Sequence, residues 1–359
     1  MDQGDRMDSQ AHGASSDLDG NAELPSSTER AASRAASGPW TVKRLMAWIA
    51  SYLTEREVDD ARVAAAILLA EVLEVDRIQL YMEPTRELSP KELETLRALV
   101  SRAGQHEPVQ YLVGRWPFFG HDFVVSPCTM IPRPCTETLV TQALDWYRAR
   151  EGESAVAVLD LCTGTGCIAV SLALGMRAIA RPSGAGCRPL SGGGDAAAPA
   201  NPQHEPAPMN TVISVVATDI VPEAAELARQ NAARLGASIE VRVGDLWEPI
   251  ARTERFDLVV GNPPYVTAAE YAVLDRNVRD YEPRTALFGG EDGLDVVRRL
   301  ILGAVEHLRA GGLLLVEVGW KHEQSVRGLV SNPQWRAVNM LTDGDGIQRV
   351  LCATRTNVP

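Results

Sequence analysis

Residues 256–266 read FDLVVGNPPYV. A largely apolar run, the mark of a buried strand, leads straight into Asn262-Pro263-Pro264-Tyr265. Two prolines freeze φ and end the strand. The residue before each proline is pushed into an extended conformation. The Asn262 side chain and the Pro263 carbonyl are thereby held rigidly at the carboxyl edge of a sheet. That arrangement suits the presentation of a planar –NH2 to an electrophilic methyl group. One N–H is received by the Asn262 side-chain oxygen and the other by the Pro263 carbonyl, which raises electron density on nitrogen and aims it. The Tyr265 ring can stack on the flat group. Such chemistry rests on positioning and preorganised dipoles, with no metal and no covalent intermediate. The plainer reading of the same residues is a proline-rich turn with an asparagine cap.

A second constellation lies upstream. AVAVLDLCTGTGCIAVSLAL spans 155–174. A strand closes at Asp160-Leu161, the small-residue turn Cys162-Thr163-Gly164-Thr165-Gly166 follows, and an amphipathic helix begins. Glycines let such a turn bend tightly and let a ligand approach the main chain. The turn is neither a phosphate-cradling G-x-x-x-x-G-K-[ST] loop nor a full G-x-G-x-x-G dinucleotide fingerprint, because Ala169 stands in the last glycine position. Asp160 suits a cationic ligand such as the amino group or sulfonium of S-adenosylmethionine. The next strand ends at Asp219, where a carboxylate can accept both ribose hydroxyls of a nucleoside or simply cap the following helix. Asp245, in GDLWEP, is placed to meet an adenine edge, with Leu246 and Trp247 against the ring.

The elements that must hold these residues alternate. Strands are predicted at 155–161, 211–218, 238–243, 256–261, 312–318 and 347–353, with helices at about 134–149, 166–179, 222–235 and 293–309. This pattern predicts an α/β fold, a doubly wound, mostly parallel sheet of the Rossmann-like methyltransferase type. Ahead of it, helical spacing of apolar residues at 41–52, 59–75 and 89–103 predicts a small helical domain. Residues 108–131, aromatic and broken by Gly and Pro, read as a β-hairpin or extended linker. The expected organisation is a disordered tail at 1–38, a helical substrate-recognition domain at 39–105, a hairpin linker at 106–132 and a methyltransferase domain at 133–359. The Pro-, Gly- and Ala-dense stretch 181–210 is expected to be a flexible insertion, dispensable for the fold.

The chain has 359 residues and a formal net charge of −12. That balance disfavours a protein that grips bare nucleic acid and favours a protein or small-molecule substrate. No long apolar run predicts a membrane span. The six cysteines form no CxxC pair, so neither a zinc site nor a disulfide framework is expected, and free thiols in a cytoplasmic protein are the default.

TGTG at 163–166, Asp219, NPPY at 262–265 and IPRPCTE at 131–137 together resemble the glutamine methyltransferases that modify class I peptide chain release factors. The resemblance covers roughly 40–359. It implies S-adenosylmethionine as methyl donor and, as substrate, the side-chain amide nitrogen of the glutamine in a Gly-Gly-Gln motif. It implies that Asn262 and Pro263 hold the amide, that Pro264 and Tyr265 shape its pocket, and that Cys162 to Gly166 and Asp219 hold the cofactor. It also implies that 281–301 helps close the site, that 131–134 leads into the catalytic domain, and that Glu137 faces the cofactor end. Cys135 stands where the family usually has an acid, and Cys162 where it usually has Gly. CTGTGC, EVG at 317–319 and GDG at 344–346 are also similar to a sister branch acting on a large-subunit ribosomal protein, although the PRPxTE-like stretch favours the release-factor branch. A monomer without bound nucleic acid is expected. An adenine-N6 or cytosine-N4 nucleic-acid methyltransferase, which must reach or flip a base, is disfavoured by charge. A binding module without activity is disfavoured by the intact NPPY and Asp219, and an NAD-dependent oxidoreductase by the missing dinucleotide fingerprint.

Overall fold

The computed structural model describes residues 39–150, 155–180 and 212–357. The tail at 1–38 and the whole of the insertion at 181–210 lie outside them. The chain divides into two compact units after Ser101.

The first unit is helical: α1 Val42–Thr54, α2 Ala61–Leu73, α3 Arg77–Met82 and most of α4, Pro90–Ala103. Helix α4 starts where Ser89-Pro90 predicts. Glu92 N donates to Ser89 Oγ and Ser89 N to Glu92 Oε2, a reciprocal cap. Leu45, Ile49 and Leu53 of α1 and Leu68, Leu69 and Leu73 of α2 are buried. Helix α3 is too short for its apolar periodicity to be read from sequence.

The second unit opens with α5 Val109–Val113 and an antiparallel hairpin, β1 Arg115–Phe118 and β2 His121–Val124. The 108–131 segment is therefore a helical turn plus a hairpin. A 3₁₀ turn, Pro134–Thr136, leads into α6 Glu137–Arg148. Then come β3 Ala155–Leu161, α7 Cys167–Ala180, β4 Val212–Asp219, α8 Pro222–Leu235, β5 Glu240–Val243 and β6 Phe256–Gly261. Three short helices follow, α9 Ala268–Ala272, α10 Arg276–Arg279 and α11 Arg284–Leu287. The chain continues with α12 Asp295–His307, β7 Leu308–Glu317, α13 Glu323–Leu329, β8 Trp335–Thr342 and β9 Gln348–Arg355.

The seven strands lie in the order β5-β4-β3-β6-β7-β9-β8. The first five are parallel, and β9 runs antiparallel to both β7 and β8. The doubly wound, mostly parallel sheet is thus present, with an antiparallel edge that includes one strand, β8, beyond those predicted. The chain order reverses between β3 and β6: β4 is added on one side of β3, β6 on the other. Ligands of open α/β sheets bind at such a reversal, outside the carboxyl ends of the strands. Register pairs Leu161 with Gly261, so the turn after β3 and the Asn-Pro-Pro-Tyr segment after β6 begin side by side.

Every residue of β6 is buried, and Leu258, Val259 and Val260 have no exposed surface. Each such side chain contributes roughly 1.5–3 kcal/mol of burial. That firmly held strand is what Asn262 is mounted on.

Candidate active site

A cavity of about 400 Å³ opens at the reversal between β3 and β6, within the usual range for small-molecule sites. Cys162, Thr163, Gly164 and Thr165 of the glycine turn form one wall, Asp219 and its neighbours another, Asp245 and Leu246 a third, and Asn262 and Pro264 a fourth.

The glycine turn is held from beneath. Asp160 has no exposed surface and is not on the cavity wall. Its Oδ2 accepts the Thr163 hydroxyl at 2.6 Å and the Ala169 N–H at 3.2 Å, while Oδ1 has no hydrogen-bond partner among the described residues. Burial pushes its carboxyl up to about 7. The expectation that Asp160 meets a cationic ligand directly is corrected: its carboxylate points into the protein, where it organises the turn and the start of α7. Gly166 is also off the wall. It has φ +79°, and a Cβ there would lie 3.0 Å from Ala228 Cβ on α8, so this glycine permits close packing of the turn on that helix. Cys162 adopts φ +62°, which is unusual for a side chain and natural for glycine.

Asp219 is on the wall. Its Oδ2 accepts the Gly164 N–H at 2.8 Å and its Oδ1 the Val221 N–H at 2.9 Å. Burial raises its pKa, and backbone N–H groups oppose that rise. Each oxygen keeps a further lone pair, the requirement for receiving two vicinal hydroxyls. The carboxylate therefore caps the turn and remains available to a ligand. Asp245 is paired with Arg299, Oδ2 to guanidinium at 2.7 Å, and both line the cavity. Leu246, buried and at φ +49°, lines it too. Trp247 does not. Its indole stacks on His307 at 4.9 Å and donates to the Arg299 carbonyl, so the expected packing on an adenine ring is corrected.

Asn262 faces the cavity and Pro264 is beside it, whereas Pro263 is buried and off the wall. The Tyr265 ring is also off the wall, because its hydroxyl is drawn back to Glu317 at 3.0 Å. That bond anchors the ring beside the Asn-Pro-Pro backbone. Asn262 donates from Nδ2 to Thr136 Oγ at 3.2 Å, which leaves its oxygen as the acceptor end. Glu137, expected to face the cofactor end, instead accepts the Phe119 N–H at 2.8 Å in the hairpin turn. Its neighbour Thr136, like Pro132, is a residue of IPRPCTE that reaches the site.

The sequence reading missed several wall residues. Thr129, Met130 and Pro132 come from the supposed linker. Arg284, Thr285 and Phe288 come from the segment expected to close the site. That segment is tied to the Asn-Pro-Pro-Tyr backbone, with Val266 N donating to Leu287 O and Gly289 N to Val266 O. Glu282, buried, ties it also to the 131–133 stretch by accepting the Ile131 N–H at 3.2 Å and the Arg133 guanidinium. IPRPCTE at 131–137 and the segment 281–301 were the available signal.

A seven-stranded sheet reversing at a glycine turn, with a nucleoside-type carboxylate and a proline-locked asparagine at its edge, defines a Rossmann-like methyltransferase. Residues 206–280 match the methyltransferase small domain, and residues 44–114 match the PrmC N-terminal domain. A release factor glutamine methyltransferase of Geobacter sulfurreducens is 38% identical over 312 residues, covering 87% of this chain and 96% of that protein. Release factor glutamine methyltransferases of Koribacter versatilis (35% identical, 87% and 97% covered) and Bordetella pertussis (36%, 80% and 93%) are similar as well. The chain belongs to the release factor glutamine methyltransferase family.

Proposed function

We propose that this enzyme transfers a methyl group from S-adenosylmethionine to the side-chain amide nitrogen of the glutamine in the Gly-Gly-Gln motif of class I peptide chain release factors. The observation that carries this reading is the Asn262 amide. It is held at the cavity wall with its nitrogen engaged by Thr136 and its oxygen left to accept.

The residues present fit the donor. Asp219 keeps lone pairs for two ribose hydroxyls beside a turn whose Gly164 has open space before it, the nearest atom to an added Cβ being 4.0 Å away. Cys162 to Thr165 would hold the methionine portion and Asp245 with Leu246 the adenine. When bound, S-adenosylmethionine supplies the electrophilic methyl. Asn262 Oδ1 accepts one amide N–H of the substrate glutamine, and we assign the second to the Pro263 carbonyl. Both orient the nitrogen and polarise it without removing a proton beforehand, and as the N–C bond forms and the methyl–sulfur bond breaks, the displaced N–H proton passes to water. Pro264 walls the amide site. The helical domain at 39–105 is assigned to contacts with the release factor. Among the described residues no helix is long and apolar enough to cross a membrane. Action as a cytoplasmic monomer, without stable nucleic-acid binding, completes the proposal.

Labelled S-adenosylmethionine offered with release factor, with large-subunit ribosomal proteins and with DNA in separate reactions tests it. Label on the release factor, abolished when the Gly-Gly-Gln glutamine is replaced, is the expected result. Label on either other substrate instead overturns it. Asn262→Ala is expected to lower turnover by at least about 100-fold while cofactor binding survives. Near-normal turnover in that variant removes Asn262 from the mechanism.

A further inference from the structure

Glu317 ends β7 with no exposed surface and lies off the cavity wall. Its Oε1 accepts the Tyr265 hydroxyl at 3.0 Å and lies 3.8 Å from the Cys135 sulfur. Its Oε2 is buried without a partner at hydrogen-bonding geometry among the described residues. Thr136, equally buried, accepts the Asn262 Nδ2–H. A hydroxyl accepting in this way still carries a proton that needs an acceptor of its own. Burial raises the Glu317 carboxyl above the usual carboxylate range, and neighbouring hydroxyl donors and the charge of Arg349 oppose that rise. Register pairs Gly261, which precedes Asn262, with Val316, which precedes Glu317, and Cys135, which precedes Thr136, lies against the same carboxylate, so the spare proton of Thr136 and the spare lone pair of Glu317 fall in one buried cluster.

We propose that Glu317 is a positioning residue for methyl transfer: it takes the Thr136 hydroxyl proton, obliges Thr136 to accept from Asn262, and so fixes the Asn262 amide with its oxygen toward the cavity. This rests on the function proposed above. The two ends of an amide are nearly equal in shape and opposite in hydrogen bonding. A flipped Asn262 presents –NH2 to the substrate –NH2, donor against donor. The direction must therefore be imposed from behind, and a carboxylate imposes it because it can only accept. The hydroxyl of Tyr265 and the thiol of Cys135 face the same carboxylate as further donors, which fits the ionised form. Since Tyr265 is anchored there as well, one buried group holds both ends of the Asn-Pro-Pro-Tyr segment to β7.

The test compares Glu317→Gln, Thr136→Val, Thr136→Ser and the Glu317→Gln/Thr136→Val double variant in full-length enzyme. Steady-state methylation of a release factor is measured alongside calorimetric S-adenosylmethionine binding and the ¹⁵N–¹H signal of the Asn262 side-chain amide, assigned by its loss in Asn262→Asp. Glu317→Gln and Thr136→Val are expected to lower kcat about 10- to 100-fold with cofactor affinity within about twofold. Thr136→Ser should restore turnover. The double variant should be no slower than Thr136→Val alone, because both changes cut one chain. The Asn262 amide signal should shift in Glu317→Gln. Wild-type kcat in Glu317→Gln, losses that multiply in the double variant, or an unmoved amide signal each overturn the proposal. If Glu317→Gln does not fold, equal turnover in Thr136→Ser and Thr136→Val overturns it. If the wild-type enzyme leaves the release factor unmethylated, the function reading fails instead, and the amide signal still decides the relay.

Discussion

Asp219→Asn is the sharpest probe of the cofactor wall, because its effect follows from counting acceptors. The carboxylate receives the Gly164 N–H on Oδ2 at 2.8 Å and the Val221 N–H on Oδ1 at 2.9 Å. If the remaining lone pairs receive two ribose hydroxyls, all four positions are acceptors. Asparagine supplies one oxygen and one –NH2. Whichever way it turns, one backbone N–H faces a donor, and one ribose hydroxyl loses an anionic acceptor. A hydrogen bond to a charged group is worth about 1.5–3 kcal/mol. At about 1.4 kcal/mol per decade, S-adenosylmethionine affinity should fall roughly 10- to 100-fold. The fold should tolerate the change, since removing a partly desolvated charge offsets part of the lost cap. The contact is made equally in ground and transition states, so kcat at saturating cofactor should stay within about threefold. Titration calorimetry with S-adenosylmethionine, followed by turnover at saturating cofactor, separates the two quantities. An affinity within about twofold of wild type, in a variant of unchanged melting temperature, refutes the assignment of Asp219 to the ribose.

Gly166→Ala should cost about 2–4 kcal/mol in urea unfolding, combining a positive-φ side chain with a Cβ 3.0 Å from Ala228 Cβ. An unchanged midpoint would show that the turn can lift off α8. Asp160 sets a pH dependence. Its folded pKa of about 7 lies above the ordinary 3.8, so the folded state binds more protons between the two. Its contribution to stability is complete below about pH 4 and is lost as pH rises through about 7. Stability of Asp160→Asn relative to wild type should therefore improve from pH 4 to pH 7, by at most about 4 kcal/mol. Parallel stability profiles of the two proteins contradict this. The Cys135 thiol is pushed up to about 11 by burial and the charge of Glu317, and Cys167 to about 12, chiefly by burial. Both should react slowly with iodoacetamide at pH 8 in the folded protein, and rapid labelling of either in a peptide map would contradict their burial.

What was legible from sequence is what depends on neighbours along the chain. Strand β6 is a continuous buried run and β3 is buried over its last four residues, and both were placed to the residue. Helix α8 starts at Pro222 and ends before Gly236, whose φ of +71° is the usual left-handed stop. Strand β8, WRAVNMLT, escaped detection because it is a half-exposed edge with a register shift between Arg336 and Asn339, so no clean alternation survives. Helices α9, α10 and α11 have four or five residues each, less than two turns, and periodicity cannot reveal them. The site followed the same division. The wall contributions of Gly164, Asp219 and Asn262 were read from motifs that fold locally. The directions of Trp247, Tyr265 and Glu137 were not, because each side chain is turned by a partner remote in sequence, and Asp160 turns inward to the N–H and hydroxyl groups of the turn that it precedes. The Asn262–Thr136 bond spans 126 positions and the Glu317–Cys135 contact 182, and no spacing rule carries such pairings.

The residue before Asn262 shows how the two motifs are made to meet. A Cβ on Gly261 would come within 2.9 Å of the Leu161 carbonyl on β3 and 3.0 Å of Leu300 on α12. Any side chain there wedges β6 away from β3 at the level where Leu161 pairs with Gly261. The displaced parts would be the glycine turn, which begins at the next residue of β3, and Asn262, which follows directly on β6. A shift of even 1 Å between a methyl donor and its acceptor can cost about 100-fold in rate. The glycine thus belongs to the reaction geometry as much as to the sheet. It holds no ligand, and it sets the distance between the residues proposed to hold the donor and the residue proposed to hold the acceptor.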